Sequence, residues 1–343
     1  MTHTECSNWV LLVARENGFS LGAKISERLN DDGTLRNRIY DGFFDGKPAV
    51  LKIYDESEPT FEPLDLMQFV ANSTSNSLFA PKVFKYAMIT VKRGWIIMEH
   101  LPQGGKFFDV PLQPQRRQDF ITILMEHKKH FPAKPNHEVP PIQQLPPHEF
   151  HKARIDGWMN IASQRDQERI AQKLEPLFVK EELLPRYKKG LEIIEQEFRH
   201  RKSFWSHALI KHHEVYSAAN GTFWLLDFGH CKFVPEGYAE AMIIWYDVMM
   251  FMKPNTPLYS HLENIQEWFD LFERHQEDLG RENMPQLLRA SLLERIFGMM
   301  FADLTQKDLL VRNEEDFAKR KVLLKHLYDI LDVMVSEYER LTA

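Results

Sequence analysis

The sequence has few cysteines, no excess of basic charge and no long apolar run. Its two cysteines, Cys6 and Cys231, are too few for a disulfide framework or a cysteine-ligated zinc site. A formal net charge of −6 provides no general footprint for nucleic acid. The longest apolar run, residues 242–252, contains Asp247 and is about half of a membrane span. We therefore expect a cytoplasmic protein without a signal peptide that binds neither nucleic acid nor membrane.

The pattern of the chain changes near residue 101. Before that point, alternating apolar residues and turn clusters predict β-strands, and Asp45-Gly46 predicts a tight hairpin. After it, apolar residues recur at helical spacing, except in the proline-rich residues 132–147, which we interpret as a long loop. We predict strands at 23–29, 38–44, 48–54, 83–90 and 94–98, a turn at 30–33, and helices at 8–16, 62–72, 185–199 and 314–340.

One β-hairpin is predicted inside the helical half. Residues 214–216 and 222–226 alternate like strands and are joined through Asn220-Gly221, a typical hairpin turn. The hairpin ends in an Asp-Phe-Gly motif at residues 227–229. The chain of 343 residues is long enough for two lobes. We predict an α+β fold with a small antiparallel β N-lobe at 1–101 and a large helical C-lobe at 102–343.

Lys52 lies in an apolar strand, where an ammonium needs a polar partner because burying it alone is costly. Val50 and Lys52 share one sheet face by two-residue alternation. A nucleotide phosphate, together with an acid from the next helix, would satisfy this lysine; Glu62 is the first candidate and Asp65 the second. An edge-strand lysine that reaches solvent is the alternative. Asp227, a carboxylate released at a strand end by glycine, is placed to hold Mg²⁺.

Five motifs, in order along residues 23–250, resemble the aminoglycoside phosphotransferase and choline kinase family of the protein-kinase-like superfamily. The resemblance implies the two-lobed kinase-like fold with ATP and Mg²⁺ in the cleft between the lobes. It implies that Glu99 and Leu101 offer backbone hydrogen bonds to adenine, and that Asp247 braces the catalytic loop. The motifs are NRIY at 37–40, AVLK at 49–52, IIMEHLP at 96–102, DFG at 227–229 and WYD at 245–247.

The catalytic loop departs from the family pattern, His-Gly-Asp-(x)₄-Asn. His207 matches, but Ala208 replaces the glycine, Leu209 the catalytic aspartate and Glu214 the asparagine. Glutamate still suits Mg²⁺, which prefers carboxylate oxygens. Leucine cannot accept a proton, and losing a positioned general base removes roughly 10²–10⁴ in rate.

The same loop supplies three candidate catalytic residues. His207 would act as a brace, His212 would stand in as the proton acceptor, since its ordinary pKa lies near neutrality, and Lys211 would contact the γ-phosphate. Arg36 or Arg38 could contact phosphate from the preceding loop, which contains a single glycine, although solvated loop arginines are the favoured interpretation. A zinc site would require a pattern such as His-Glu-x-x-His, which residues 213–217 do not complete.

Two functions follow from these residues. The first is an ATP-dependent phosphotransferase that acts on a hydroxyl of a small molecule, with weak activity because of Leu209. The alternative is a pseudokinase that binds nucleotide or a partner without transfer, and a metal hydrolase built on the histidines is a distant third. A row of acidic residues suits a cationic acceptor, or is an ordinary solvated helix face; it comprises Glu263, Glu267, Asp270, Glu273 and Glu277.

Overall fold

The computed structural model describes residues 3–29, 33–56, 60–109, 111–131, 134–139 and 144–343. Most of the predicted turn at 30–33, and with it part of the phosphate-loop region, lies outside these ranges, as does part of the proline-rich stretch. Among the described helices, none is both long enough and apolar enough to cross a membrane.

The N-lobe is a five-stranded antiparallel sheet with the strand order β1-β2-β3-β6-β5. One face of the sheet packs against the first helix, where Val10 and Val13 meet Leu51 and Ile53 of the central strand. The second helix lies beyond the opposite face. The elements are α1 (His3–Asn17), β1 (Phe19–Leu29), β2 (Leu35–Phe44), β3 (Lys47–Asp55), α2 (Glu62–Asn72), β5 (Val83–Thr90) and β6 (Arg93–Glu99).

The C-lobe is helical and is built around one helix that is buried on nearly all sides. Leu288, Ile296 and Phe297 of this helix, α8, are fully buried, so it packs against several neighbours at once. The helices are α3 (Pro114–His130), α4 (Pro147–Ala171), α5 (Lys180–Phe198), α6 (Tyr238–Ile244), α7 (Leu258–Arg274), α8 (Met284–Gly298) and α9 (Glu314–Thr342).

Short strands in the C-lobe fix the loops on which the candidate site is built. A four-stranded sheet has the order β4-β10-β9-β7, and a two-stranded sheet pairs β8 with β11. The loop between β8 and β9 and the turn between β10 and β11 are therefore both flanked by strands that are hydrogen-bonded into sheets. The strands are β4 (Leu78–Phe79), β7 (Lys106–Phe107), β8 (Ser203–His207), β9 (Val215–Ser217), β10 (Phe223–Leu225) and β11 (Cys231–Pro235).

The structure confirms the predicted α+β architecture of an antiparallel N-lobe and a helical C-lobe, and the predicted strands and helices differ from the observed ones mainly at their ends. Two of the predicted helices begin about one helical turn earlier than expected: α1 begins at His3 and not at Asn8, and α5 begins at Lys180 and not at Pro185. The acidic side chains of Glu181 and Glu182 favour the positive end of the helix dipole, and the buried Leu183 anchors this first turn to the core.

Asp247 joins three segments of the C-lobe in one buried network. It lies in a π-helical turn that continues α6, and its carboxylate accepts hydrogen bonds from the Leu112 amide (2.5 Å), Arg117 Nε (3.2 Å) and Trp268 Nε1 (2.8 Å). The side chain of Asp247 is fully buried. Because its donors come from the start of α3 and from α7, this carboxylate holds both helices against the turn.

We expect Asp247→Ala to lower the free energy of unfolding by about 2–4 kcal/mol, because it leaves buried donors, including a guanidinium, without their acceptor. Urea denaturation measures the change. Asp270→Ala, on the exposed face of α7, is the matched control and should change stability by less than about 0.5 kcal/mol. Equal effects of the two substitutions would contradict this role of the network.

His151 makes stability depend on pH. Its ring packs 4.2 Å from the Phe198 ring and is fully buried, and burial lowers its pKa to about 3 against the opposing charge of Glu294. The unfolded chain binds this proton below about pH 6.5, whereas the folded protein does not. The contribution of His151 to the free energy of unfolding is therefore fully present above pH 6.5 and is lost as the pH falls toward 3.

We expect His151→Leu to flatten the fall of stability between pH 6 and pH 4, by at most about 1.4 kcal/mol per pH unit. Urea denaturation at a series of pH values provides the slope. His275→Leu, a variant of a partly exposed histidine after α7, should keep the wild-type slope, and a wild-type slope in His151→Leu as well would refute the assignment.

Candidate functional site

Lys52 is held between two carboxylates. Because side chains alternate along β3, Leu51 packs under α1 while Val50 and Lys52 lie on the opposite face of the sheet. Lys52 Nζ is 2.6 Å from Glu62 Oε2 at the start of α2 and 2.9 Å from Asp227 Oδ1 after β10. The lysine is 4% exposed. The expected meeting of Lys52 with Glu62 is therefore observed, although its role toward a nucleotide remains a prediction.

The second candidate acid, Asp65, lies elsewhere. Its Oδ1 accepts a hydrogen bond from Trp205 Nε1 (3.1 Å) and lies 3.0 Å from His137 Nε2. Glu62 and Asp65 lie about one turn apart in α2. Glu62 pairs with Lys52, whereas Asp65 joins α2 to the C-lobe.

The opposite charges of Lys52 and Asp227 stabilise each other. Burial acts to lower the pKa of Lys52, but Asp227 and Glu62 outweigh it and raise the pKa, so the amine stays protonated. Burial likewise acts to raise the pKa of Asp227, whereas Lys52 and His230 hold it well below its usual range. The cluster therefore presents a fixed ammonium and a fixed carboxylate at the junction of the lobes.

The backbone around the Asp-Phe-Gly motif is closely fitted. Asp227 adopts a left-handed conformation with φ of 59°, an uncommon state for a residue with a side chain. At Gly229, a Cβ atom would lie 3.1 Å from Thr60 Oγ1 and 3.4 Å from Glu62 Oε2. Glycine at this position thus allows the motif to approach α2, and the approach brings Asp227 to Lys52.

Glu214 brings a second carboxylate to Asp227. It ends a 3₁₀ turn, is 2% exposed and lies with its Oε1 2.8 Å from Lys211 Nζ. Its Oε2 has no hydrogen-bond partner within the described ranges. Donor atoms of Glu214, Asp227 and His230 all lie within 4.8 Å of one another. Two carboxylates with an unsatisfied buried oxygen fit a divalent cation such as Mg²⁺.

His207 fixes the loop that carries these groups. Its Nε2 donates to the Leu226 carbonyl (2.8 Å), and its backbone amide donates to His127 Nε2 (3.3 Å). Because Leu226 precedes Asp227, this histidine ties the loop to the Asp-Phe-Gly motif. Two residues along, Leu209 is half-buried in a cluster that includes Trp245 and offers no polar atom.

The two adjacent histidines of the loop differ in environment. His212 is 1% exposed, packs against Phe120 and Tyr246, and places its Nε2 3.9 Å from Asp247 Oδ1. Burial lowers its pKa to about 4. His213 is exposed, and burial of part of its ring together with Lys211 lowers its pKa to about 4. Both rings are neutral at pH 7, and His213 offers the solvent-accessible one.

The predicted adenine contacts lie at the end of β6. The Glu99 amide donates to the Lys82 carbonyl (2.8 Å), and the Leu101 carbonyl accepts from His100 Nδ1 (2.8 Å). An adenine contact from the Glu99 amide would therefore require an existing bond to break. Val50, which was predicted to share the sheet face of the candidate nucleotide-binding residue Lys52, is half-buried in the middle of β3.

The two candidate phosphate-binding arginines are engaged in ion pairs. Arg36 Nε is 2.5 Å from Glu56 Oε2. Arg38 is 1% exposed and its Nε donates to Glu27 Oε1 at 2.9 Å. An arginine that sequence reasoning did not select, Arg28 of β1, lies nearer to the site, with its Nη1 3.9 Å from Asp227 Oδ2.

His230 is a further residue at the site, which sequence reasoning considered only among the histidines of the distant metal-hydrolase alternative. Its Nε2 is 3.2 Å from Asp227 Oδ2 and 3.8 Å from Glu214 Oε1. The signal was present, because His230 directly follows the Asp-Phe-Gly motif, but only the tertiary structure brings it to Glu214.

Known proteins resemble this chain in fold, whereas none of the family models or curated proteins resembles it in sequence. No protein-family model matches the sequence, and no curated protein matches it significantly. Solved structures do match. One is a thermostable mutant of aminoglycoside phosphotransferase APH(4)-Ia in a ternary complex with ADP and hygromycin B, at 13% identity and a TM-score of 0.56, covering 95% of this chain and 97% of that one.

Two small-molecule kinases show the same likeness. Plasmodium vivax ethanolamine kinase is 12% identical with a TM-score of 0.54, covering 93% of this chain and 84% of its own. The microcompartment-associated aminopropanol kinase is 12% identical with a TM-score of 0.51, covering 97% and 99%. The chain therefore has the protein-kinase-like fold, in the form shared by aminoglycoside phosphotransferases and small-molecule kinases.

Proposed function

We propose that this protein is an ATP-dependent phosphotransferase that acts on a hydroxyl group of a small molecule. The observation that carries the proposal is the Lys52 ammonium, buried on the inner face of the sheet between Glu62 and Asp227. A structure of the same fold contains ADP. We further propose that residues 1–101 and 102–343 are the two lobes, that the acceptor is cationic, and that the protein is cytoplasmic.

Each charged residue has a definite task in this proposal. Lys52 binds the phosphates of ATP, and Glu62 keeps its ammonium in place. Asp227 and Glu214 hold Mg²⁺, which when bound neutralises charge on the transferred phosphoryl group. Lys211, whose Nζ lies 2.8 Å from Glu214 Oε1, supplies a further positive charge for the γ-phosphate. The base lies against Val50 and the end of β6, near Glu99 and Leu101.

Leu209 sets the expected rate. Leu209 leaves no carboxylate at the position from which the acceptor hydroxyl would be deprotonated. We therefore expect the rate of transfer to be lower by a factor of roughly 10²–10⁴. Phosphoryl transfer depends mainly on positioning and on electrostatic stabilisation, and the charged cluster retains the residues for both. We therefore propose weak activity.

The second candidate function is a pseudokinase, and Leu209 is the specific observation in its favour. In this case the fold binds nucleotide through the lysine and carboxylates, or binds a partner, without transfer. Where nucleotide binds, the two candidates differ only in whether the γ-phosphoryl group leaves ATP.

Nucleotide binding is tested by stability with and without ATP and divalent metal. At 100 times its dissociation constant, MgATP should stabilise the protein by about 2.7 kcal/mol. EDTA should remove this gain, as should Lys52→Met and Asp227→Asn. Lys47→Met, at the exposed start of the same strand, is the control that should retain it.

Thermal unfolding of each variant without ligand supplies its own baseline, so loss of binding is separated from loss of stability. No stabilisation of the wild-type protein by any nucleotide with Mg²⁺ or Mn²⁺ would exclude the phosphotransferase and leave only a pseudokinase that binds a partner.

Restoring the carboxylate distinguishes enzyme from pseudokinase. We expect Leu209→Asp to raise kcat at least about 100-fold with an acceptor from a panel of amino sugars and amino alcohols, because it supplies the missing proton acceptor. Leu209→Asn has the same shape, cannot act as a base, and should stay near the wild-type rate.

Turnover is measured as ADP release with acceptor, minus release without it. Turnover that persists unchanged in Asp227→Asn would mark a contaminating enzyme. Nucleotide binding without turnover in wild type and in Leu209→Asp would favour the pseudokinase.

A further inference from the structure

His230 brings an imidazole nitrogen to a place where the proposed function needs only carboxylates. It lies in the 3₁₀ turn Phe228–His230, held between β10 and β11. Its Nε2 is 3.2 Å from Asp227 Oδ2 and 3.8 Å from Glu214 Oε1. The side chain is 22% exposed, so a small ion can reach it from solvent.

The buried carboxylate of Glu214 is the independent sign of a ligand. It is 2% exposed, and its Oε2 has no hydrogen-bond partner in the part of the chain that the structure describes. Its ion pair with Lys211 is made through Oε1. A buried carboxylate oxygen without a partner is costly, and a cation between Glu214 and Asp227 would remove that cost.

Asp227 can serve a metal and Lys52 at the same time. Its Oδ1 accepts from Lys52 Nζ at 2.9 Å, while its Oδ2 faces His230. Arg28 Nη1 also lies 3.9 Å from Asp227 Oδ2, and the Arg28 side chain is 47% exposed. Arg28 therefore has room to withdraw, whereas Lys52 need not move.

We propose that Glu214, Asp227 and His230 form a three-residue site with one nitrogen and two oxygen donor groups, and that this site prefers a divalent transition-metal ion to Mg²⁺. Mg²⁺ is bound almost entirely through oxygen and keeps several waters. Imidazole favours first-row transition metals, with affinity rising from Mn²⁺ to Co²⁺. Donor atoms within 4.8 Å of one another are close enough to share one ion.

The inference rests on the proposed function only for the use of the metal, since the ion binds to side chains and needs no nucleotide. If phosphoryl transfer takes place here, the metal that supports it is Mn²⁺ or Co²⁺ in preference to Mg²⁺. This preference would follow from one side chain, His230.

The test is metal binding by the full chain without nucleotide. Calorimetric titration with Mn²⁺ and with Mg²⁺ gives the ratio of the two affinities, and the visible absorption of bound Co²⁺ reports nitrogen ligation. We expect one site that binds Mn²⁺ at least about 10-fold more tightly than Mg²⁺. His230→Asn should reduce this ratio at least about 10-fold, since even outer-shell substitutions cost 10–100-fold, and should change the Co²⁺ spectrum.

His275→Asn is the matched control. His275 also pairs with a carboxylate, with its Nδ1 3.1 Å from Asp278 Oδ2, but lies after α7, outside the three-residue site. It should leave the affinity ratio and the Co²⁺ spectrum unchanged. His230→Asp is a second variant in case the first fails to fold, and its all-oxygen site should shift the preference toward Mg²⁺.

The outcomes separate the two proposals. An unchanged affinity ratio and Co²⁺ spectrum in folded His230→Asn or His230→Asp would overturn the metal inference, even if MgATP binds. Histidine-dependent Mn²⁺ and Co²⁺ binding in a protein that binds no nucleotide would support the metal site and refute the proposed function. The metal inference would also be overturned if metal bound only together with nucleotide and with equal affinity for Mn²⁺ and Mg²⁺.

Discussion

The buried ammonium of Lys52 is the interaction on which the site depends. It connects the central strand of the N-lobe sheet, the first turn of α2 and the turn after β10, and so joins residues 175 positions apart in the chain. A buried charge is tolerated only where its partners are in place, because removing one partner leaves an uncompensated charge. The position of Asp227 is therefore fixed by the same contact that satisfies the lysine.

The loops that carry the other groups are held independently of that contact. Strands β8 to β11 flank the loop before Glu214 and the turn that contains His230, and His207 ties the two segments together through the Leu226 carbonyl. This framework uses backbone hydrogen bonds and one histidine.

In the function proposed above, the site separates two parts of phosphoryl transfer. The groups that would bind phosphate and metal lie together, whereas Leu209 stands where the family resemblance predicts the proton acceptor. The cluster also contains Arg28 and His230, which alter its charge and its donor chemistry near Asp227. Under the proposed function, this arrangement would serve first to bind a nucleotide and a cation, and transfer would depend on how much the missing base matters to the acceptor.

Much of the fold was predictable because its signals are local. Strand alternation placed Val50 and Lys52 on one face, the Asp-Gly and Asn-Gly pairs marked two hairpins, and helical spacing marked α9 from its first residue. The candidate pairing of Lys52 with Glu62 was also accessible, because an ammonium in an apolar strand requires an acid and the next helix begins with one.

The sequence by itself determined the change from strands to helices near residue 101 and the sheet face of Lys52, since each depends on residue type and short spacing, whereas Leu209 stands out only through the resemblance to the kinase family. Only the tertiary structure decided that His212 is buried beside Asp247, that Arg38 pairs with Glu27, and that His230 meets Glu214. These contacts join segments whose separation is set by the packing of whole elements, and no local periodicity encodes that distance.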